Sequence, residues 1–170
     1  MNKPGNKIEK KTGNKREVNI LIHDIRSTHN VGSIFRTSDA AGVSKIYISG
    51  YSPTPKDKWG RARKDIAKVS LGAETSIPWE YIDDPYKLIK KLKKDGFEIV
   101  GLEQTKYSTD YKKFKTKKPL LFIVGSEVLG MDKKILSLCD TIVEIPMLGD
   151  KESLNVSVAF GVAIFRILGI

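Results

Sequence analysis

Three short stretches hold side chains whose types and spacing could do chemistry. The first is Asn30-Val-Gly-Ser-Ile-Phe-Arg-Thr37. Written as a helix, it turns Val31, Ile34 and Phe35 toward a core and sets Ser33, Arg36 and Thr37 on a polar face, with Asn30 placed to cap the first turn. The second is Leu121-Phe-Ile-Val-Gly-Ser-Glu-Val-Leu-Gly-Met131. An apolar strand runs there into Gly125, where backbone can approach a ligand closely, and Glu127 puts a carboxylate just beyond the strand's end. The third is Ile145-Pro-Met-Leu-Gly-Asp-Lys-Glu-Ser-Leu-Asn-Val-Ser157, a strand end, a loop and the start of an apolar helix. Helix capping accounts for one of its two polar residues Ser153 and Asn155, not for both.

Several other chemistries are excluded by the same spacing. No Gly-x-Gly pair occurs, so the dinucleotide fingerprint is absent. Gly125 and Gly130 have the spacing of a phosphate-binding loop, but Met131 and Asp132 stand where Lys and Ser/Thr are required. The two histidines, His23 and His29, have no cysteine nearby and read as structural or solvent-facing, so no metal is expected. Cys139 is the single cysteine, which rules out an internal disulfide and fits a reducing cytoplasm.

The elements that must position these clusters follow from periodicity. Val18–Ile22, Lys45–Ser49, Phe97–Leu102, Leu120–Val124 and Thr141–Ile145 read as strands. Helices are expected over 30–41, from Pro85 behind an Asp83 or Asp84 cap to Gly96, from Asp132, and from about Asn155. Leu120–Val124 is apolar throughout, as a central strand covered on both faces would be. The alternation gives an α/β domain with a mostly parallel sheet, whose ligand crevice lies beyond the carboxyl ends of the strands. The loops leaving such ends, 23–30, 125–131 and 146–154, lead into or hold all three polar clusters. Val156–Ile170 is strongly apolar but short for a membrane span and interrupted by Arg166, so it reads as a core helix and no membrane is expected.

At 170 residues and 40% hydrophobic content, the chain has material for one domain, 18–170, behind a basic tail, 1–17, expected to be disordered. The N-terminal stretch lacks the apolar core of a secretory signal. The net charge of +10 is unevenly placed. Residues 1–18 hold six Lys/Arg against two acids, 56–68 six against two, and 106–118 six against one, so the rest of the chain is net acidic. A basic tail and two basic loops point to a polyanionic partner.

Taken in order, N-x-G-S-I-F-R-T, F-I-V-G-S-E-x-x-G and I-P-M-x-G…S-L-N-V-S-V-A resemble the three motifs of the SpoU/TrmH branch of the SPOUT-class RNA ribose 2′-O-methyltransferases. The likeness covers Val18 to Arg166. It implies helices on both faces of the sheet, a C-terminal trefoil knot, a homodimer, and S-adenosylmethionine as methyl donor to a ribose 2′-hydroxyl of a structured RNA, tRNA ahead of rRNA. The near all-round apolar pattern of the last helix supports the dimer on its own.

Carried over by motif position, Asn30, Arg36, Glu127, Ser153 and Asn155 become the catalytic set. Leu102, Glu103, Gly125, Ile145, Met147, Ser153 and Leu154 become the cofactor-binding set. A guanidinium stays protonated, so Arg36 is expected to clamp a phosphate and stabilise a developing alkoxide. The rival from another class is a non-catalytic RNA-binding or assembly factor that keeps this fold, which would bind cofactor without methylating any RNA.

Overall fold

The computed structural model describes residues 16–126 and 128–170. Expectations for the first 15 residues of the tail and for Glu127 lie outside the described residues.

Among the described residues thirteen elements run β1 (Val18–His23), α1 (Thr28–Ala41), β2 (Lys45–Ser49), α2 (Lys64–Ser70), α3 (Ala73–Ser76), β3 (Trp79–Ile82), α4 (Pro85–Lys94), β4 (Glu98–Leu102), β5 (Thr109–Asp110), β6 (Leu120–Val124), α5 (Lys133–Leu138), β7 (Thr141–Glu144) and α6 (Val156–Leu168). The sheet has seven strands in the order β3-β2-β1-β6-β4-β7-β5, and every pairing is parallel. All carboxyl ends therefore open on one edge. β6, read from its apolar run as central, is the middle strand and is buried along its whole length.

Side chains alternate between two cores, as the pleat requires. Ile20, Ile22, Phe122 and Val124 point to a layer with α1 and α6, through Val31, Ile34, Phe35, Phe160 and Ile164. Leu21, Leu121 and Ile123 point to the opposite layer with α4 and α5, through Ile89, Leu92 and Ile135. Phe160 meets Phe122 with ring centroids 6.1 Å apart, fastening α6 to the central strand. Burying each such side chain is worth about 1.5–3 kcal/mol, so the helix is held by packing more than by its own propensity.

Three of the expected helices begin at a side-chain cap close to where the sequence placed their starts. Asp84 caps α4 by accepting from Lys87 N at 3.0 Å, and Asp132 caps α5 through Lys134 N and Ile135 N. Asn155 caps α6, described below. α1 differs. It starts at Thr28, and the cap is Ser27, whose Oγ accepts from Asn30 N at 3.2 Å. Asn30 is already helical, which leaves its carboxamide for another contact. The short β3 and β5 and helices α2 and α3 were not legible from periodicity, and α2 takes up the end of the basic segment 56–68 expected to be loop. Among the described residues no helix is long and apolar enough to cross a membrane.

Burial pushes the Cys139 thiol up to about 12, with the Asp140 carboxylate adding to the effect and Lys93 opposing it. Thiolate is the reactive form. Alkylation by iodoacetamide at pH 8 should therefore run roughly a thousandfold slower than for a free cysteine with a pKa of about 8.5, and recover on unfolding. Mass spectrometry of the folded protein showing rapid labelling would contradict that burial.

Candidate active site

The carboxyl ends of β4, β6 and β7 and the start of α6 enclose a cleft of about 260 Å³. All seven residues expected to hold a cofactor line it. Leu102 and Glu103 come from the end of β4, Gly125 from the end of β6, and Ile145 and Met147 from the segment after β7. Ser153 and Leu154 come from the approach to α6. Sequence reasoning missed Gln104, Ser126, Gly130, Glu144, Val156 and Ala159, which also line the cleft. Glu144 could have been found, since it ends a strand whose carboxyl end was already expected to face the crevice. Val156 and Ala159 could not, because helix periodicity alone does not say which apolar face meets a cavity.

Glu103 is the post on which the cleft is built. Its Oε2 accepts from Met131 N at 2.7 Å and its Oε1 from Gln104 N at 2.9 Å, so one carboxylate ties the loop after β6 to the end of β4. Gly125 was expected to admit a ligand. The structure gives it a different first duty, because a Cβ there would stand 2.9 Å from Met131 Cα, and only glycine lets the loop fold back this tightly. Within the turn, Ser126 Oγ accepts from Val128 N and Leu129 N, and Ser126 O accepts from Gly130 N at 3.1 Å. Glu127 lies within this turn in sequence but outside the described residues. On the far wall Glu144 Oε2 accepts from Ser108 Oγ at 2.7 Å.

The first and third clusters meet at the cleft's edge. Asn155 Oδ1 accepts from Ser157 N at 3.0 Å and Val158 N at 3.4 Å, capping α6, while its Nδ2 donates to Asn30 Oδ1 at 3.1 Å. Two helix N-termini are thus locked together by one side chain. Ser153 is exposed at the cleft mouth. Arg36 is not part of the cleft lining. It sits exposed on α1, two turns from Asn30, with no hydrogen bond or ion pair among the described residues. The adjacent Thr37 lies where α1 packs on α6, against Gly161. His23 is buried, its Nδ1 2.8 Å from Ser49 Oγ and its Nε2 3.3 Å from Asp24 Oδ2, and it lies outside the cleft lining.

Two carboxylates set among aliphatic side chains in one cleft, opening beyond the carboxyl ends of a parallel sheet, define a small-ligand-binding α/β protein with its site on the sheet edge. The particular family follows from comparison. The chain belongs to the SpoU rRNA methylase family, whose model matches residues 17–165. A protein of Staphylococcus saprophyticus assigned to the TrmH family of tRNA/rRNA methyltransferases is 34% identical over 159 residues, covering 94% of this chain and 61% of its own length. The chain thus spans less than two thirds of that relative. Among solved structures, the A. aeolicus TrmH/SpoU tRNA modifying enzyme superposes with a TM-score of 0.79 at 28% identity, over 91% of this chain and 76% of its own. The AdoMet-bound rRNA methyltransferase of Sinorhizobium meliloti gives 0.79 at 25% identity, over 88% and 55%.

The Asn155 clamp is open to direct test. Asn155→Ala should cost about 1–2 kcal/mol by removing a helix cap and a hydrogen bond to Asn30. Asn155→Asp keeps the capping acceptor but turns an oxygen toward Asn30 Oδ1, so it should recover only part of the loss. Urea denaturation of the three proteins measures this, and an alanine variant as stable as the parent would refute the clamp.

Proposed function

We propose that the protein is an S-adenosylmethionine-dependent RNA methyltransferase acting on a ribose 2′-hydroxyl, with tRNA favoured over rRNA as substrate. The observation that carries this reading is that the second and third sequence clusters line one cleft, to whose edge the Asn30–Asn155 bond brings the first. The cofactor named for the Sinorhizobium meliloti neighbour fits the walls. Leu102, Ile145, Leu154 and Ala159 offer aliphatic surface for a purine, and Glu103 and Glu144 offer carboxylates for ribose hydroxyls and a cationic sulfonium.

When bound, S-adenosylmethionine supplies a methyl group already activated on its sulfonium. The protein's part is then to orient the acceptor alcohol and favour loss of its proton as the new C–O bond forms. Ser153 and Asn155, at the cleft mouth, hydrogen-bond the acceptor ribose. Arg36 stands outside the cleft and acts on the RNA, clamping the neighbouring phosphate and offsetting charge that grows on the 2′-oxygen. This chemistry calls for no metal.

We also propose a homodimer. α6 leaves Val158 and Val162 exposed along one stripe, 52% and 41% accessible, beside the helix that carries Arg36. A second copy seated on that stripe would cover it and enclose Arg36. The family's C-terminal knot belongs to the same proposal, threaded by the segment between β7 and α6.

Arg36→Ala should lower single-turnover methyl transfer to RNA from cells lacking the gene by roughly a hundredfold, as expected for loss of an oxyanion-stabilising donor. Affinity for S-adenosylmethionine and melting temperature should stay unchanged, and 2′-O-methyl mapping should locate the product. Undiminished turnover would remove Arg36 from the mechanism, and cofactor binding with no RNA methylated would favour the non-catalytic binding factor. Light scattering should give twice the mass of one chain at micromolar concentration, and a single-chain mass would reject the dimer.

A further inference from the structure

The loop between β2 and α2, residues 50–63, is fastened at its root and displays an aromatic ring at its tip. At the root, Tyr51 N donates to Asp24 Oδ1 at 3.1 Å, and Ser52 Oγ accepts from Ile25 N at 3.0 Å. The Tyr51 hydroxyl reaches Ser126 Oγ at 3.2 Å, linking this loop to a residue of the cleft wall. Toward the tip, Lys56 and Ala62 pair as an antiparallel bridge, and Arg63 N donates to Pro55 O at 2.9 Å.

Asp57 organises the turn itself. Its Oδ1 accepts from Trp59 N at 2.9 Å and Arg61 N at 3.0 Å, its Oδ2 from Arg61 Nε at 2.8 Å, and its backbone oxygen from Gly60 N at 2.9 Å. Trp59 is 67% exposed on this braced turn. Lys58 Nζ lies 4.4 Å and Arg61 Cζ 4.5 Å from the centre of its ring. A scattered exposed apolar residue is ordinary, but an indole held out by a hydrogen-bonded turn among cations has the composition of a nucleobase stacking platform. Arg61 is paired with Asp57 and Arg63 with Asp65, whereas Lys56 and Lys58 have no ion pair among the described residues.

We propose that Trp59 stacks on an unpaired base of the RNA, while Lys56 and Lys58 take the flanking phosphates. The proposal rests on the reading of the cleft as an RNA-modifying site, and it names the part of the substrate recognised beside that site: a single-stranded nucleotide near the one being modified. The loop leaves the same edge of the sheet as the cleft, and the Tyr51–Ser126 bond connects the two.

The test is fluorescence anisotropy of the full chain with a labelled oligouridylate and, separately, a labelled RNA duplex. Trp59→Ala should weaken oligouridylate binding roughly tenfold, within the range for loss of one stacked base, and leave duplex binding unchanged. Trp59→Phe should restore most of the loss. Lys56→Ala with Lys58→Ala should flatten the dependence of log affinity on log salt, which Trp59→Ala should not alter. In a Trp79→Phe background, where Trp59 is the only indole, oligouridylate should quench tryptophan fluorescence. If the parent binds RNA and Trp59→Ala binds it equally well, or the quenching is absent, the stacking role is overturned while the RNA reading stands. If the parent binds neither RNA, both fall. A Trp59→Ala variant that changes from dimer to monomer would make the ring a protein contact and overturn the proposal as well.

Discussion

Parallel hydrogen bonding throughout the sheet is the constraint on which the rest of the molecule depends. A parallel pair cannot be joined by a tight turn, so each strand is re-entered from the opposite edge through a crossover. All the strands consequently end on one edge, and the loops that follow β1, β2, β4, β6 and β7 gather there. Covering both faces with helices buries β6 completely and fixes it at the centre. The cleft lies where it does because three neighbouring strands stop together and α6 closes over them.

Loops brought this close must satisfy their backbone groups locally, and short polar side chains do so. Glu103, Ser126, Asp24, Ser52 and Asn155 each accept from main-chain N–H groups of a neighbouring or returning segment. Glycine appears where the chains approach too closely for a Cβ. At Gly50 the backbone is left-handed, with φ of 65°, and an added Cβ would stand 1.8 Å from Asp24 Oδ1, the oxygen that holds Tyr51 N. At Gly125 the clash would be with Met131 backbone. Each close approach is held by a carboxylate that accepts from the main chain beside it, Asp24 from Tyr51 N and Glu103 from Met131 N.

Charge is arranged differently from its count. Several cations of the basic segments are already paired, Arg61 with Asp57, Arg63 with Asp65, Lys112 with Asp110 and Lys118 with Glu98. Exposed pairs of this kind contribute about 0–1 kcal/mol, so they shape loops without consuming the attraction for a polyanion. In the 56–68 segment the pairing brings the turn into order and leaves Lys56 and Lys58 as unpaired charge beside an exposed indole.

The sequence by itself determined the α/β class, the central strand and the principal helices, narrowing the α4 cap to Asp83 or Asp84 and the α6 cap to Ser153 or Asn155, whereas the seven expected cofactor residues that are among those lining the cleft came from the motif likeness. It could do so because an all-apolar run, a capped helix and a polar loop after a strand are local patterns with local causes. Short elements escaped it, since β3, β5, α2 and α3 hold too few residues for a period to emerge. Only the tertiary structure decided that Ser27 rather than Asn30 caps α1, that Asn30 then bonds Asn155 across 125 residues of chain, that Gly125 is needed for Met131, and that Arg36 stands outside the cleft. Each of those depends on which segments the parallel sheet carries to the same edge, and a contact between distant segments leaves no periodic trace in either one.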